Sequence, residues 1–287
     1  MMAWQHASFP TGYRVTPLLT VKIADELKSA RDSGATSLEC SLDLQRSSTT
    51  VRLGEVEWSV QGQHFPYPPP LKERAVYHFV DGAFAPIARY DSSLIKLVPT
   101  DWGPPTFEID GIKMLPTARI SPYADAEQKV GLIRPRGKVI VDTCGGLGYF
   151  AACCLAGGAA RIHSYEINRD VLWLRSLNPW SPREDERLRL THDDVVRAVM
   201  AIPDATADAV LHDPPRFGIA GELYSKSFYD QLARVLKRKG RLFHYTGTPN
   251  KLTSGRDVPS EVAKRLVAAG FTVDKTSDGL LAIKKGA

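Results

Sequence analysis

The sequence predicts an α/β protein in which a doubly wound, mostly parallel sheet with a closing antiparallel hairpin is preceded by a smaller β-rich α+β unit. Three observations carry this. Short apolar runs alternate with helical patterns from Lys138 to Ala269, and such alternation builds parallel sheets through crossover helices. Residues 1–105 instead show period-two alternation and hairpin turns, with one helical stretch. The length of 287 residues suits two compact units.

In the first unit, Pro17 to Arg31 reads as a helix. Pro17 suits a first turn, and Leu19, Ile23 and Leu27 share one face. After Gly34, the alternation of Leu38, Cys40, Leu42 and Leu44 is a strand signature. Val51–Leu53 and Val56-Trp58-Val60 repeat it, and Pro66 to Pro70 is a stiff extended break. Ala75–Val80 and Ala83–Arg89 flank Asp81-Gly82, a hairpin signal. Ser93 to Val98 adds a strand. Asp101-Trp102-Gly103-Pro104-Pro105 marks the expected boundary between units 1–105 and 106–287.

In the second unit, Phe107–Ile109 and Ile112–Met114 flank a second Asp-Gly turn, and Pro122 to Ile133 reads as a helix. Strands are expected at Lys138–Asp142, Arg161–Glu166, Leu188–Asp193, Ala209–Asp213 and Arg241–Gly247. A helix follows each, including Ser225–Leu236 and Pro259–Ala269. Phe271–Thr276 and Leu280–Lys284 close the chain as the antiparallel hairpin.

Composition narrows the function classes. Hydrophobic residues are 43 % and charged residues 24 %, which excludes a disordered, collagenous or coiled-coil chain. Met1 to His6 lack the basic-then-apolar pattern of a secretory leader. No apolar run approaches the roughly 20 residues of a membrane helix. Cys40, Cys144, Cys153 and Cys154 form no C-x-x-C pair, so a reduced cytoplasmic protein without a metal site is expected. Residues 1–105 hold 10 basic and 11 acidic side chains and residues 106–287 hold 27 and 21, so any phosphate grip should come from the second unit.

Open parallel sheets bind ligands beyond the carboxyl ends of their strands, so the residues after each strand are the candidates. Asp142-Thr143-Cys144-Gly145-Gly146-Leu147-Gly148 ends the first strand, where glycines let backbone approach a ligand. Glu166, followed by Ile167, ends the second and can accept from both ribose hydroxyls of an adenosine ligand. Asp193 or Asp194 ends the third, available to an adenine amino group or to cap the next helix. Asp213-Pro214-Pro215 ends the fourth. Two prolines hold an extended backbone, so that Asp213 and the Pro214 carbonyl can accept two hydrogens from one amino group. Tyr123, Arg216, Phe217, Tyr224 and His244 are candidate substrate contacts. Lys237-Arg238-Lys239 suggests an RNA grip but also fits an ordinary basic helix end.

These positions resemble a class I S-adenosylmethionine-dependent methyltransferase over residues 106–287. Asp142-x-x-x-Gly146-x-Gly148 is similar to its glycine-rich motif, Glu166 to its ribose acid, Asp193 to its adenine contact, and Asp213-Pro214-Pro215 to its amino-methylating motif. His212-Asp213-Pro214-Pro215-Arg216-Phe217, Gly221-Glu222-Leu223-Tyr224-Ser225 and Gly240-Arg241-Leu242-Phe243-His244-Tyr245-Thr246-Gly247 resemble a largely archaeal, spermidine-synthase-like methyltransferase group. One departure stands out: Arg216 occupies the place of the usual aromatic, and Phe217 follows it. Either Phe217 stacks on a base, or Arg216 lies flat against it or holds a phosphate.

The resemblance implies S-adenosylmethionine as cofactor and methyl transfer to an exocyclic amino nitrogen, with RNA, and cytosine N4 in particular, as the expected substrate. Three alternatives stay open. They are a polyamine aminopropyltransferase using decarboxylated cofactor, a non-catalytic RNA-binding or assembly factor, and, from Gly146-x-Gly148-x-x-Ala151 alone, a nicotinamide enzyme.

Overall fold

A computed structural model describes residues 16–216, 218–247 and 257–286. β1 (Leu18–Leu19) and α1 (Val21–Asp32) open it. The helix starts after Thr20, whose hydroxyl accepts the Ile23 N–H at 3.4 Å. It does not start at Pro17, because Leu18 and Leu19 pair with His78 and Tyr77 of β6 (Tyr77–Val80). β2 (Ser37–Cys40), β3 (Thr49–Leu53), β4 (Glu57–Val60) and β5 (Gln63–Pro66) form an antiparallel sheet. The strand expected to reach Leu44 stops at Cys40. The Asp43 carboxylate accepts the Arg46 and Ser47 N–H groups at 3.1 and 2.9 Å and turns the chain, while Leu42 and Leu44 stay buried.

Ala83–Arg89 divides in two. β7 (Ala83–Pro86) closes a hairpin with β6 across Asp81 and Gly82, at φ 50° and 82°, the doubly left-handed turn that Asp-Gly favours. β8 (Ala88–Tyr90) leaves that sheet to pair with β9 (Leu94–Val98), which pairs with β10 (Thr106–Ile109), and β10 with β11 (Ile112–Lys113). The boundary expected after Pro105 thus falls between two strands of one sheet. The first unit's core stacks Trp58 on Phe65, ring centroids 4.9 Å apart, with Leu27 and Phe84 around them.

The large sheet has seven strands, β12 (Val139–Asp142), β13 (Arg161–Glu166), β14 (Leu188–His192), β15 (Ala207–His212), β16 (Leu236–Tyr245), β17 (Phe271–Lys275) and β18 (Gly279–Lys284). Their order is β14-β13-β12-β15-β16-β18-β17. The first five in that order are parallel, and β18 lies antiparallel between β16 and β17. Period-two alternation sends Ile140, Leu211 and Phe243 to one face and Val141, Val210 and Leu242 to the other. α2 (Pro122–Ile133), α3 (Tyr149–Ala156) and α4 (Arg169–Leu177) cover the first face, and the short α5 (Val195–Ala198), α6 (Lys226–Val235) and α7 (Val258–Ala268) the second. Both faces are covered, so the central strands read as near-continuous apolar runs. The β8–β11 sheet joins the first face through Ile95, Leu97 and Phe107. The Trp180 indole N–H donates to the Leu44 carbonyl at 2.9 Å, and the Arg89 guanidinium lies 3.8 Å from the Trp173 ring centroid. Among the described residues no helix is long and apolar enough to cross a membrane.

Candidate active site

The strand order places the ends of β14, β13, β12 and β15 side by side. After β12 the glycine loop is tied to the end of β13 and turns back on itself. The Gly145 N–H donates to the Tyr165 carbonyl at 2.7 Å and the Gly148 N–H to the Gly145 carbonyl at 2.8 Å. Gly146 and Gly148 take φ 50° and 82°, a region that side-chain-bearing residues enter only at a cost. A Cβ on Gly145 would stand 2.5 Å from Ser164 Oγ, whereas one on Gly146 would have only Phe107 at 4.0 Å. The loop is therefore packed below and open above.

The packing below is a buried charge group. Asp142 Oδ2 accepts the Ser164 hydroxyl at 2.8 Å, and Arg175 Nη1 donates to the same Ser164 Oγ at 3.3 Å. Arg175 is 3 % exposed, and its Nε and Nη2, like Asp142 Oδ1, make no hydrogen bond among the described residues, while the two charges attract each other. Burial pushes the Asp142 pKa up to about 6. Asp142 supports the loop from beneath and does not face the opening.

Glu166 stands at the rim. Its Oε2 accepts the Gly146 N–H and its Oε1 the Asn168 N–H, both at 2.9 Å. The Ile167 N–H also supports the carboxylate; an ionised carboxylate offers about four lone-pair sites, so acceptor capacity remains for a ligand hydroxyl. Ile167 beside it is 63 % exposed, an apolar platform at a strand end. Asp193 Oδ1 accepts the Asp194 N–H at 2.8 Å and Arg197 Nη2 at 3.2 Å, and Oδ2 takes part in neither contact. Asp194 is the helix cap: its Oδ1 accepts the Val196 N–H at 2.9 Å at the start of α5. Cys144 lies between these groups and Asp213, its thiol held protonated chiefly by burial. The strand ends thus present, in order, a glycine loop, a carboxylate with acceptor capacity to spare, an exposed apolar side chain and a half-exposed acid.

Asp213 follows β15, directly beside the loop, since Asp142 is in register with Leu211. The turn after it is fixed by the Tyr224 hydroxyl, which donates to the Pro215 carbonyl at 2.9 Å. Burial raises the Asp213 pKa to about 6, opposed by the Lys129 ammonium 3.9 Å from Oδ2. Lys129 reaches Asp213 from α2, where it also meets Asp125 and Asp278. Sequence reasoning missed Lys129 and Arg175. Each is a cation at a core position, Lys129 in line with Ala126, Val130 and Ile133, and Arg175 beside Val171 and Leu174. That mismatch between charge and position was the available signal.

The other candidates disperse. Tyr123 packs edge-on against Tyr149 and tilted against Trp180, both at 5.8 Å between ring centroids, forming a half-buried wall beside the glycine helix. Tyr224 is buried and serves the Pro215 turn. His244 is fully buried. Its Nε2 meets the Tyr229 hydroxyl and its Nδ1 the Tyr245 carbonyl, both at 2.8 Å, so it lies beneath the site and not at a substrate. It is the register partner of His212, whose ring is 4.4 Å away and whose pKa burial lowers to about 4. Arg216 is exposed, and Phe217 lies outside the described residues. Lys237-Arg238-Lys239 sits near the start of β16, the end of the sheet opposite the site, with Lys237 paired to Asp208 at 2.8 Å. Among the described residues no group of three His, Cys, Asp or Glu side chains could hold a metal ion.

No family model matches the chain. The uncharacterized protein MJ1233 of Methanocaldococcus jannaschii is 39 % identical over 217 residues, 74 % of each chain. Polyamine aminopropyltransferase 2 of Streptomyces coelicolor is 40 % identical over 65 residues, 22 % of this chain and 12 % of that one. Among solved structures, spermidine synthase from Thermotoga maritima superposes with a TM-score of 0.54 at 17 % identity, covering 69 % of this chain and 72 % of that one. That likeness establishes a shared Rossmann-like fold.

Proposed function

The chain belongs to the family of the uncharacterized protein MJ1233 of Methanocaldococcus jannaschii, and from the geometry at its strand ends we propose that it is an S-adenosylmethionine-dependent methyltransferase acting on an exocyclic amino nitrogen. The observation that supports this most is Asp213: a carboxylate followed by two prolines, at the strand end next to the glycine loop and 3.9 Å from a buried ammonium.

The cofactor, when bound, supplies an electrophilic methyl group on a sulfonium. Gly146 and its neighbours would admit it, Glu166 would hold the ribose hydroxyls, Ile167 the base face and Asp193 the base amino group. Asp213 would accept a hydrogen bond from the substrate amine and turn its lone pair toward the methyl carbon. The amine nitrogen would gain the methyl group, leaving the demethylated cofactor as co-product, and Asp213 would take up the proton that the methylated nitrogen then sheds and pass it to water. An exocyclic amine is a weak base whose positive charge develops during transfer, so an acceptor that strengthens with that charge favours the transition state.

The proposed substrate is a nucleobase in RNA, cytosine N4 first. Its support is the excess of basic over acidic side chains in residues 106–287 and the exposure of Arg216 after the prolines, a side chain able to stack on a base or hold a phosphate.

One observation favours a second reading. Asp125 and Asp278 bring two more carboxylates near Asp213, as an aminopropyltransferase acting on a cationic polyamine would require. The Lys129 ammonium already occupies their centre, which is why methyl transfer is preferred. Parallel assays separate the two: S-adenosylmethionine with RNA, and decarboxylated S-adenosylmethionine with putrescine. Turnover in the first alone supports methyl transfer, and turnover in the second alone replaces it.

A further inference from the structure

Lys129 projects from the buried face of α2 into a ring of carboxylates. Its Nζ lies 2.7 Å from Asp125 Oδ2, 3.4 Å from Asp278 Oδ2 and 3.9 Å from Asp213 Oδ2. The side chain is 4 % exposed, and the ammonium stands 4.2 Å from the Tyr245 ring centroid. A buried ammonium persists only where partners replace its lost hydration. Here they come from three places: α2 itself, the turn between β17 and β18, and the end of β15. A cavity of about 380 Å³, lined by Asp125, Gln128, Lys129 and Asp278 among others, connects the cluster to the outside.

The distances divide the labour. Asp125 is close enough to take a hydrogen bond from Lys129, and Asp213 is not. Asp213 therefore feels the positive charge while its oxygens stay available to a substrate amine. We propose that Lys129 is a positioning residue that acts through Asp213, its ammonium keeping that carboxylate ionised without using its acceptor sites. The proposal rests on the amino-methylation reading, in which Asp213 must accept.

The groups facing Asp213 agree with this. Asp125 from α2, Asp278 from the β17–β18 turn and Asp142 from β12 all push its proton affinity up, as does burial, while Lys129 lowers it. Cys144, Tyr224 and Tyr245 face it as neutral groups, their own pKa values pushed up chiefly by burial. Among the described residues Lys129 is the cation that opposes the three acids.

The test is the titration of the Asp213 carboxyl, followed by ¹³C NMR in aspartate-labelled protein and assigned by the signal that disappears in Asp213→Asn. Lys129→Met should raise the midpoint by about one to three pH units, the usual effect of an opposite charge at this range. Lys129→Arg should return it toward the wild-type value. Lys129→Gln, which keeps a polar group beside Asp125, should raise it likewise and carries the test if Lys129→Met does not fold. A folded Lys129→Met or Lys129→Gln protein with an unmoved midpoint overturns the proposal. The acid limb of kcat/KM should move with the midpoint. If no amine acceptor is turned over, the amino-methylation reading fails, while the titration still decides whether Lys129 controls Asp213.

Discussion

The Cα of Gly148 rests on the Arg175 guanidinium so closely that a Cβ at position 148 would stand 2.6 Å from both Cζ and Nε. Gly148 also opens α3 at φ 82°. Gly148→Ala should therefore meet two costs: about 1–2 kcal/mol for the left-handed backbone and about 1–3 kcal/mol for overpacking against a buried side chain. Thermal melting should show the loss, and calorimetry with S-adenosylhomocysteine should show weakened binding. Wild-type stability and affinity in Gly148→Ala would mean the loop is not packed as described.

Glu166→Ala should weaken the same ligand. It removes the carboxylate proposed to accept from the ribose hydroxyls, each such hydrogen bond worth about 0.5–1.5 kcal/mol and more to a charged acceptor. It also frees the Gly146 and Asn168 N–H groups that Glu166 now satisfies. Unchanged affinity would remove the ribose assignment, and tight NADH binding by the wild type would favour the dinucleotide alternative.

Acid should separate Asp213 from the histidines beneath it. Burial lowers the His212 pKa to about 4 and His244 moves the same way. Below the ordinary imidazole value of about 6.5 the unfolded chain binds protons that the folded chain does not, so their contribution to stability is present above that pH and lost on the way down. Asp142 and Asp213, raised to about 6, act in the opposite sense, since the folded chain binds the extra protons between about 6 and the ordinary aspartate value near 4. The effects partly cancel. Asp213→Asn removes one compensating group, so between pH 6 and 4 its stability should fall more steeply than wild type, by about 1.4 kcal/mol per pH unit. Chemical denaturation at several pH values checks this, and parallel pH profiles would contradict it.

How far the sequence carries follows from where the chemistry comes from. Gly146, Glu166, Asp193 and Asp213 each end a strand of one parallel sheet, so reading strand by strand finds them in order, and their nearness follows from topology alone. Lys129, Asp125 and Asp278 converge from one helix and a turn, Arg175 reaches Ser164 from another helix, and no local spacing announces either meeting. His244 reads from the sequence as a substrate contact and is buried in the structure; its strand is covered on both faces, and alternation does not tell which layer a residue joins. Ala83–Arg89 broke in two because Ile87 takes the chain from one sheet to the next, its N–H reaching the Val76 carbonyl at 2.7 Å. For the Lys237-Arg238-Lys239 run the sequence favours an ordinary basic helix end over an RNA grip, and strand direction puts it near the start of β16, at the end of the sheet opposite the site.

Arg216→Ala separates the two uses of that side chain. If Arg216 holds a phosphate, RNA affinity should fall and the salt dependence of binding should become shallower by about 0.7–0.9 in slope. If it stacks on the target base, turnover should fall with the slope unchanged. Neither change would remove Arg216 from the substrate site.

The central claim is amino methylation supported by Asp213, and one measurement addresses it directly. Total RNA is incubated with S-adenosylmethionine carrying a deuterated methyl group and with either wild-type or Asp213→Ala protein, then digested and analysed by nucleoside mass spectrometry. The account predicts a labelled N-methyl nucleoside with the wild type, and about 10²–10³ less of it with Asp213→Ala at nearly unchanged cofactor affinity. Full labelling by Asp213→Ala, or a methyl group found on carbon or on a ribose oxygen, would contradict it.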